Sequence, residues 1–241
     1  MTWFILALLA CQVFYYEDET TKDIQLAKVS SNYNNGINAA MDSSVRIDLY
    51  SEHTGQKMGH GSGNLFKIGS KHFIITAAHV VQRERFVVIR EQNGNLLPGM
   101  VAWANLQSDI AIIIPMNKDF EITKAVSYVN NKKRSLVAEK LWHHSYPSDI
   151  DGFLAESFVS KSGYFQIVMQ SQAWFGSSGG VVFDQRGRAV GVVHAINVES
   201  DPIGMPNFME TMVYVNRLYD LSRKDILGII ADASTEARNP N

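Results

Sequence analysis

With a single cysteine, Cys11, this 241-residue chain cannot form an intrachain disulfide, so burial and hydrogen bonding must hold its fold, and crosslinked secretory scaffolds are excluded as models. Neither sign of charge is in excess, 22 Lys and Arg standing against 24 Asp and Glu. Such a balance produces no field that would draw the protein to nucleic acid or to an anionic membrane face, and no nucleic-acid partner is expected. Long segments of 3.6-residue periodicity are almost absent, which argues against a helical bundle or an α/β fold. No internal repeat stands out. Hydrophobic residues nonetheless make up 46% of the chain, enough for one or two packed cores.

The longest apolar run, Trp3 to Tyr16, is followed at once by Glu17, Asp18 and Glu19. As a helix it reaches about 21 Å, short of the ~30 Å that a spanning helix needs. It reads as a signal-peptide core or a short membrane anchor, and the chain is expected to be exported, as a periplasmic, membrane-tethered or secreted protein. Leu8-Leu9-Ala10-Cys11 resembles a bacterial lipoprotein processing box, but no basic residue precedes the run and the residues after Cys11 are apolar. A helix packed on the protein itself or on a partner is the alternative. From Glu17 to Asp42 the chain is polar, with the turn former Asn34-Asn35-Gly36, and reads as a linker.

The folded region is expected from about residue 43 to 222. Val45 to Tyr50 alternates apolar and polar residues, the mark of a half-buried strand. Short segments of the same kind follow at Asn64–Ile68, His72–Thr76, Phe86–Ile89, Met100–Ala104 and Ile110–Ile114. A second series runs Phe153–Ser160, Tyr164–Met169, Val181–Phe183, Ala189–Ala195 and Asn207–Tyr214. Turn signals such as Gly69-Ser70 and Asn93-Gly94 separate them. Many short strands at close spacing predict an all-β sandwich or pair of barrels, with a junction near 125–140. Val215 to Leu221 is expected to form a helical turn or two. Ser222-Arg223-Lys224-Asp225 reads as a capping box opening a helix that carries Ile226, Leu227, Ile229 and Ile230.

Three strings carry chemistry. Phe73 to Thr76 is a strand running into Ala77-Ala78-His79; Ser108-Asp109 stands at the mouth of the apolar segment Ile110-Ala111-Ile112; Ser178 sits in Gly176-Ser177-Ser178-Gly179-Gly180. A serine hydroxyl needs a base to accept its proton as it attacks, and histidine suits that task near neutral pH. The imidazole must itself be held in one tautomer by a carboxylate. Glycines beside the serine let backbone N–H groups face the oxyanion, and Gly176 and Ser178 would donate them. Each string alone has an ordinary structural reading, as a flexible loop, a strand-end residue or a buried histidine. Together they occur in the order His, Asp, Ser, at separations of 30 and 69 residues, the order of chymotrypsin-type barrels and not of subtilisins or α/β-hydrolases.

On these strings the chain resembles the trypsin-like serine proteases, and among them the disulfide-free bacterial kind of which the HtrA-type proteases are familiar members. The resemblance runs from about Ser44 to Leu221. It includes Gly59-His60-Gly61-Ser62-Gly63-Asn64, Tyr146-Pro147 and Gly187-Arg188-Ala189-Val190-Gly191. It implies two six-stranded antiparallel β-barrels of chymotrypsin type, with His79 and Asp109 from the first and Ser178 from the second. It implies a serine endopeptidase acting on protein or peptide substrates without a cofactor or metal. A silent domain kept for binding is the alternative. The chain departs from HtrA-type proteases in leaving only some twenty residues after Leu221, too few for a peptide-binding domain. Ser177 replaces the aspartate that pairs with a freed N-terminus in trypsinogen-like activation.

The same resemblance places the primary pocket at Gln172 and Ala173 on one side and Val193, His194, Ala195 and Ile196 on the other. No acidic residue falls there, so a small or medium apolar side chain is expected in place of Lys or Arg. Related glutamate-specific and viral proteases read an acidic or amide side chain with a histidine on this strand. The spacing to His194 is one residue longer, and one residue changes the face of a strand. His143-His144 has no third ligand at matching spacing and reads as a solvated pair. Lys132-Lys133-Arg134 reads as the exposed link between barrels. Trp174-Phe175 either rims the cleft or packs beneath it.

Overall fold

The computed structural model describes residues 35–51, 54–82, 84–133, 135–148, 150–200 and 206–236; for 197–200, 206–210 and 236 the description is of the backbone alone. The N-terminal apolar run, Cys11 and the linker up to residue 34 lie outside it. Among the described residues no helix is long and apolar enough to cross a membrane.

Two six-stranded antiparallel barrels account for nearly all the regular structure, as the strand series predicts. The first comprises β1 (Ser44–Tyr50), β2 (Lys57–Ile68), β3 (Lys71–Thr76), β4 (Phe86–Arg90), β5 (Leu96–Asn105) and β6 (Ile110–Pro115). They run in the order β1-β4-β5-β6-β3-β2, and β2 pairs back with β1 to close the ring. β7 (Val126–Ser127) adds two residues in parallel to β2. The second barrel closes in the order β10-β13-β12-β11-β8-β9. Its strands are β8 (Lys140–Ser145), β9 (Phe153–Ser162), β10 (Gln166–Gln170), β11 (Val181–Asp184), β12 (Ala189–Ser200) and β13 (Pro206–Arg217). Closure leaves neither six-stranded ring an open edge, and the two-residue β7 flanks the first.

The barrel interiors follow the alternation read from the chain. Val45, Ile47, Leu65, Ile74, Ile89 and Ile112 are buried in the first, and Leu141, Val159, Ile167, Met169, Val182 and Val213 in the second. Phe66 of β2 stands 5.8 Å from Phe183 of β11 and 5.5 Å, edge-on, from Tyr128, so an aromatic cluster ties the barrels together. Asn64 adds a polar tie, accepting the Val181 N–H at 2.8 Å.

Four local expectations are corrected. β1 is covered on both faces, because its polar side carries Asp48, which is fully buried and held by Arg46, Lys57 and Arg90 at 2.7–2.9 Å. Asn35–Ser43, at the end of the expected linker, is a helix, α1, whose Ala39 and Ala40 are buried against β8 and β11. β8 is a further strand, and it carries His143 and His144 into the core at 0% and 6% exposure. They are therefore not solvated. Burial pushes both imidazoles down to about 4. Finally, β13 runs through Val215 to Arg217 as strand before the chain turns. The closing helix, α3 (Arg223–Glu236), begins as read: the Ser222 N–H donates to Asp225 Oδ2 at 2.9 Å and the Asp225 N–H to Ser222 Oγ at 3.2 Å. That reciprocal pair is a capping box with Asp in the Glu position.

Candidate active site

β3 ends at Thr76, and the single turn α2 (Ala78–Val81) swings His79 out of the sheet, its side chain 43% exposed. Asp109 stands just before β6 in a left-handed conformation, φ 51°, which Asp and Asn tolerate better than other side chains. The turn at 105–108 is built by Asn105, whose Oδ1 accepts the N–H groups of Gln107 and Ser108. This kink turns the carboxylate inward, at 5% exposure. One oxygen accepts the His79 backbone N–H at 2.8 Å and the other accepts His79 Nδ1–H at 2.7 Å. The imidazole is thereby gripped by both oxygens of one carboxylate, which sets its tautomer with Nε2 left to act.

A third donor reaches the same carboxylate: His194 Nδ1 lies 2.5 Å from Asp109 Oδ2. Burial alone would raise the Asp109 carboxyl, but the hydrogen bonds from His194 and His79 outweigh it and hold the group well below the usual carboxylate range. His194 itself is raised, first by its hydrogen bond to Asp109, against its own burial. His79, Asp109 and His194 are the one His-and-carboxylate group among the described residues with metal-ligand spacing. Their Nδ1–Oδ2 separations of 2.7 and 2.5 Å are hydrogen-bond lengths, shorter than the ~3.4 Å that two tetrahedral ligands of one zinc ion keep.

Ser178 lies in the loop between β10 and β11. Gly176, at φ +98°, and Gly179, at φ +91°, shape that loop; a Cβ on Gly179 would be driven into the Ser62 carbonyl oxygen, so glycine is required there. The N–H groups of Ser177, Gly179 and Gly180 are bonded to Trp174, Val193 and Ser177 carbonyls. Those of Gly176 and Ser178, on either side of Ser177, have no acceptor among the described residues. Ser178 Oγ donates to the His194 carbonyl at 3.4 Å, and no hydrogen bond joins it to His79. Its neighbour Ser177 is 1% exposed, its hydroxyl accepting from Ser145 Oγ and the Trp174 N–H.

Ser62, in β2, was legible only as part of a Gly-Ser-Gly string, yet it organises the loop. Its N–H donates to the Ser178 carbonyl at 2.7 Å, its Oγ donates to the Gly176 carbonyl at 2.7 Å, and the same Oγ accepts the Tyr146 N–H at 2.9 Å. His60, two residues earlier, lies over Gly176 with Nε2 3.0 Å from the Tyr146 carbonyl.

The sequence-derived pocket residues divide. Gln172 and Ala173 line a cavity of about 360 Å³ with Ile150, Phe153, Trp174 and Thr211, none of them acidic. Val193 is buried in the core of the second barrel, His194 points at Asp109, and Ala195 and Ile196 are half-buried outside that cavity. A neighbouring cavity of about 410 Å³ opens on His79, Gly176 and Ser178 and is walled by Leu49, Met58 and Phe175. Phe175, 60% exposed, therefore rims the cleft. Lys132 and Lys133 are exposed between the barrels.

No protein of curated function is similar to the chain in sequence. Solved structures are similar in number, 614 chains matching. One is the crystal structure of a serine endoprotease from Yersinia pestis, with 18% sequence identity, a TM-score of 0.63, and coverage of 83% of this chain and 67% of that one. A likeness at that identity is one of fold. A family model described as the trypsin-like peptidase domain matches residues 61–192, a span from the strand beneath the Ser178 loop to the strand after it and more than half of the chain. The chain thus belongs to the trypsin-like peptidase family.

Proposed function

We propose that this protein is a serine endopeptidase that cleaves protein or peptide substrates through an acyl-enzyme on Ser178. The observation that carries the reading is the double hold of Asp109 on His79, through the backbone N–H and Nδ1, in a cleft that also receives Ser178. As Ser178 Oγ attacks the scissile carbonyl carbon, its proton passes to His79 Nε2. The carbonyl oxygen becomes an oxyanion that the Gly176 and Ser178 N–H groups face. Collapse breaks the C–N bond, and the leaving amine takes the proton from His79. Water then attacks the ester carbon and gives a proton to His79; the bond from that carbon to Ser178 Oγ breaks, Oγ takes the proton back from His79, and the acid departs. Asp109 stays ionised and stabilises the imidazolium.

The cavity bearing Gln172 and Ala173 contains no acidic group, which supports small or medium apolar side chains at the cleaved bond over Lys or Arg. Export rests on the apolar run Trp3–Tyr16, and the N-terminal sequence of the protein recovered from its native host tests it. A single observation favours the silent alternative: Ser178 Oγ rests on the His194 carbonyl and not on His79. Catalytic hydrogen bonds often form only in the substrate complex. Digestion of unfolded casein by wild type, with none by His79→Ala of equal folding, supports the peptidase; intact casein with both selects the binding domain.

A further inference from the structure

His194 has no part in the three strings that mark the site, yet it touches both ends of it. Its Nδ1 meets Asp109 Oδ2 at 2.5 Å and its carbonyl oxygen accepts from Ser178 Oγ at 3.4 Å. The contact with Asp109 is made possible by a β-bulge. Val193 pairs with Val215 and Ala195 with Tyr214, so His194 is the extra residue between two consecutive residues of β13. Bulges re-aim side chains beside active sites, and this one turns an imidazole from the sheet toward the carboxylate. The two rings stand edge to face, their centroids 5.8 Å apart.

We propose that His194 is a positioning residue of this site: a second imidazole on the Asp109 carboxylate, which fixes Oδ2 beside His79. The proposal rests on the peptidase reading above. With both rings neutral, each donates Nδ1–H to one oxygen, and the carboxylate cannot rotate away from His79. A proton added to His194 places a cation against the shared carboxylate. A cation on His194 offsets the charge that makes His79 a good base, and a cation on His79 removes the base outright. The shared carboxylate thus ties the charge on His194 to the hold on His79. The raised position of His194, caused by Asp109, supports this coupling. The charged group that acts on His194 is Asp109, before β6, and the His79 ring, on α2, faces it edge to face at 5.8 Å; no other charged group acts on it among the described residues.

The test is the pH dependence of Ser178 labelling by a fluorophosphonate in wild type, His194→Ala and His194→Asn, each checked for folding by circular dichroism. Asn keeps a donor where Nδ1 stands and cannot titrate. Wild type should lose labelling on the acid side more steeply than a variant that lacks the His194 imidazole. His194→Ala should label about tenfold more slowly near neutral pH, the rate equivalent of a lost hydrogen bond to a charged group. His194→Asn should recover most of that rate and show a shallower acid limb than wild type. In Ser178→Ala protein, the His194 ring signals followed by NMR should titrate at lower pH once Asp109→Asn is added. A wild type that labels while both His194 variants keep its rate and its acid limb overturns the role of His194, as does an NMR titration indifferent to Asp109→Asn. A wild type whose Ser178 never labels overturns the peptidase reading itself.

Discussion

The backbone N–H of Ser62 donates to the carbonyl oxygen of Ser178 at 2.7 Å, so the first barrel holds the loop on which the second presents Ser178. Ser62 is fully buried, and its hydroxyl ties Gly176 and Tyr146 to the same point. Truncation in Ser62→Ala leaves the buried Tyr146 N–H without an acceptor, at a cost of about 1–3 kcal/mol. The free Gly176 N–H should also lose its aim. Activity is expected to fall by roughly 10–100-fold, mostly in kcat, since the oxyanion contact belongs to the transition state. Steady-state kinetics on a peptide ester, with a denaturant titration alongside, checks both; unchanged kcat would mean that the loop holds itself.

Asp109→Asn should reduce kcat by about 10⁴-fold with the fold intact, because an amide cannot hold His79 in the required tautomer or stabilise its cation. A loss below tenfold, measured with matched circular dichroism spectra, would remove Asp109 from the mechanism.

Ser177 is sealed beneath the loop by Ser145 and the Trp174 N–H. Ser177→Ala should therefore stay active and lose about 1 kcal/mol of stability. Casein digestion and thermal melting measure the two effects. An inactive, folded Ser177→Ala would contradict the assignment of the nucleophile.

His143 and His144 are buried, and the fold holds both at about 4, below the ordinary histidine value near 6.5. Protonation therefore favours the unfolded chain. The stability they lend is whole above about pH 6.5 and declines as pH falls toward 4, by up to ~3 kcal/mol for each. Urea titrations of Ser178→Ala protein from pH 7 to 4 should show this slope, and His143→Leu should flatten it.

Legibility from the sequence followed how local each determinant is. The strand running into His79, the carboxylate before Ile110 and the glycine frame of Ser178 are each set within a few residues, and their order gave the barrel type. α1 was missed because Asn34-Asn35-Gly36 reads as a turn, and only the burial of Ala39 and Ala40 against distant strands makes the next residues a helix. β8 was hidden by His143, a polar residue on a core face, where it meets the Ser171 hydroxyl at 3.0 Å. His194 faces Asp109 through a bulge, and a strict two-residue period has no way to express an extra residue. The hold of Ser62 on the Ser178 loop spans 116 positions of the chain and leaves no mark on either segment alone.

The most direct test of a nucleophilic Ser178 is to treat the full-length protein with a fluorophosphonate and locate the adduct by mass spectrometry. One phosphonyl group is expected, on Ser178 and not on Ser177, formed in wild type and absent from His79→Ala. A folded protein that takes up no label, or takes it up at Ser177, contradicts the account.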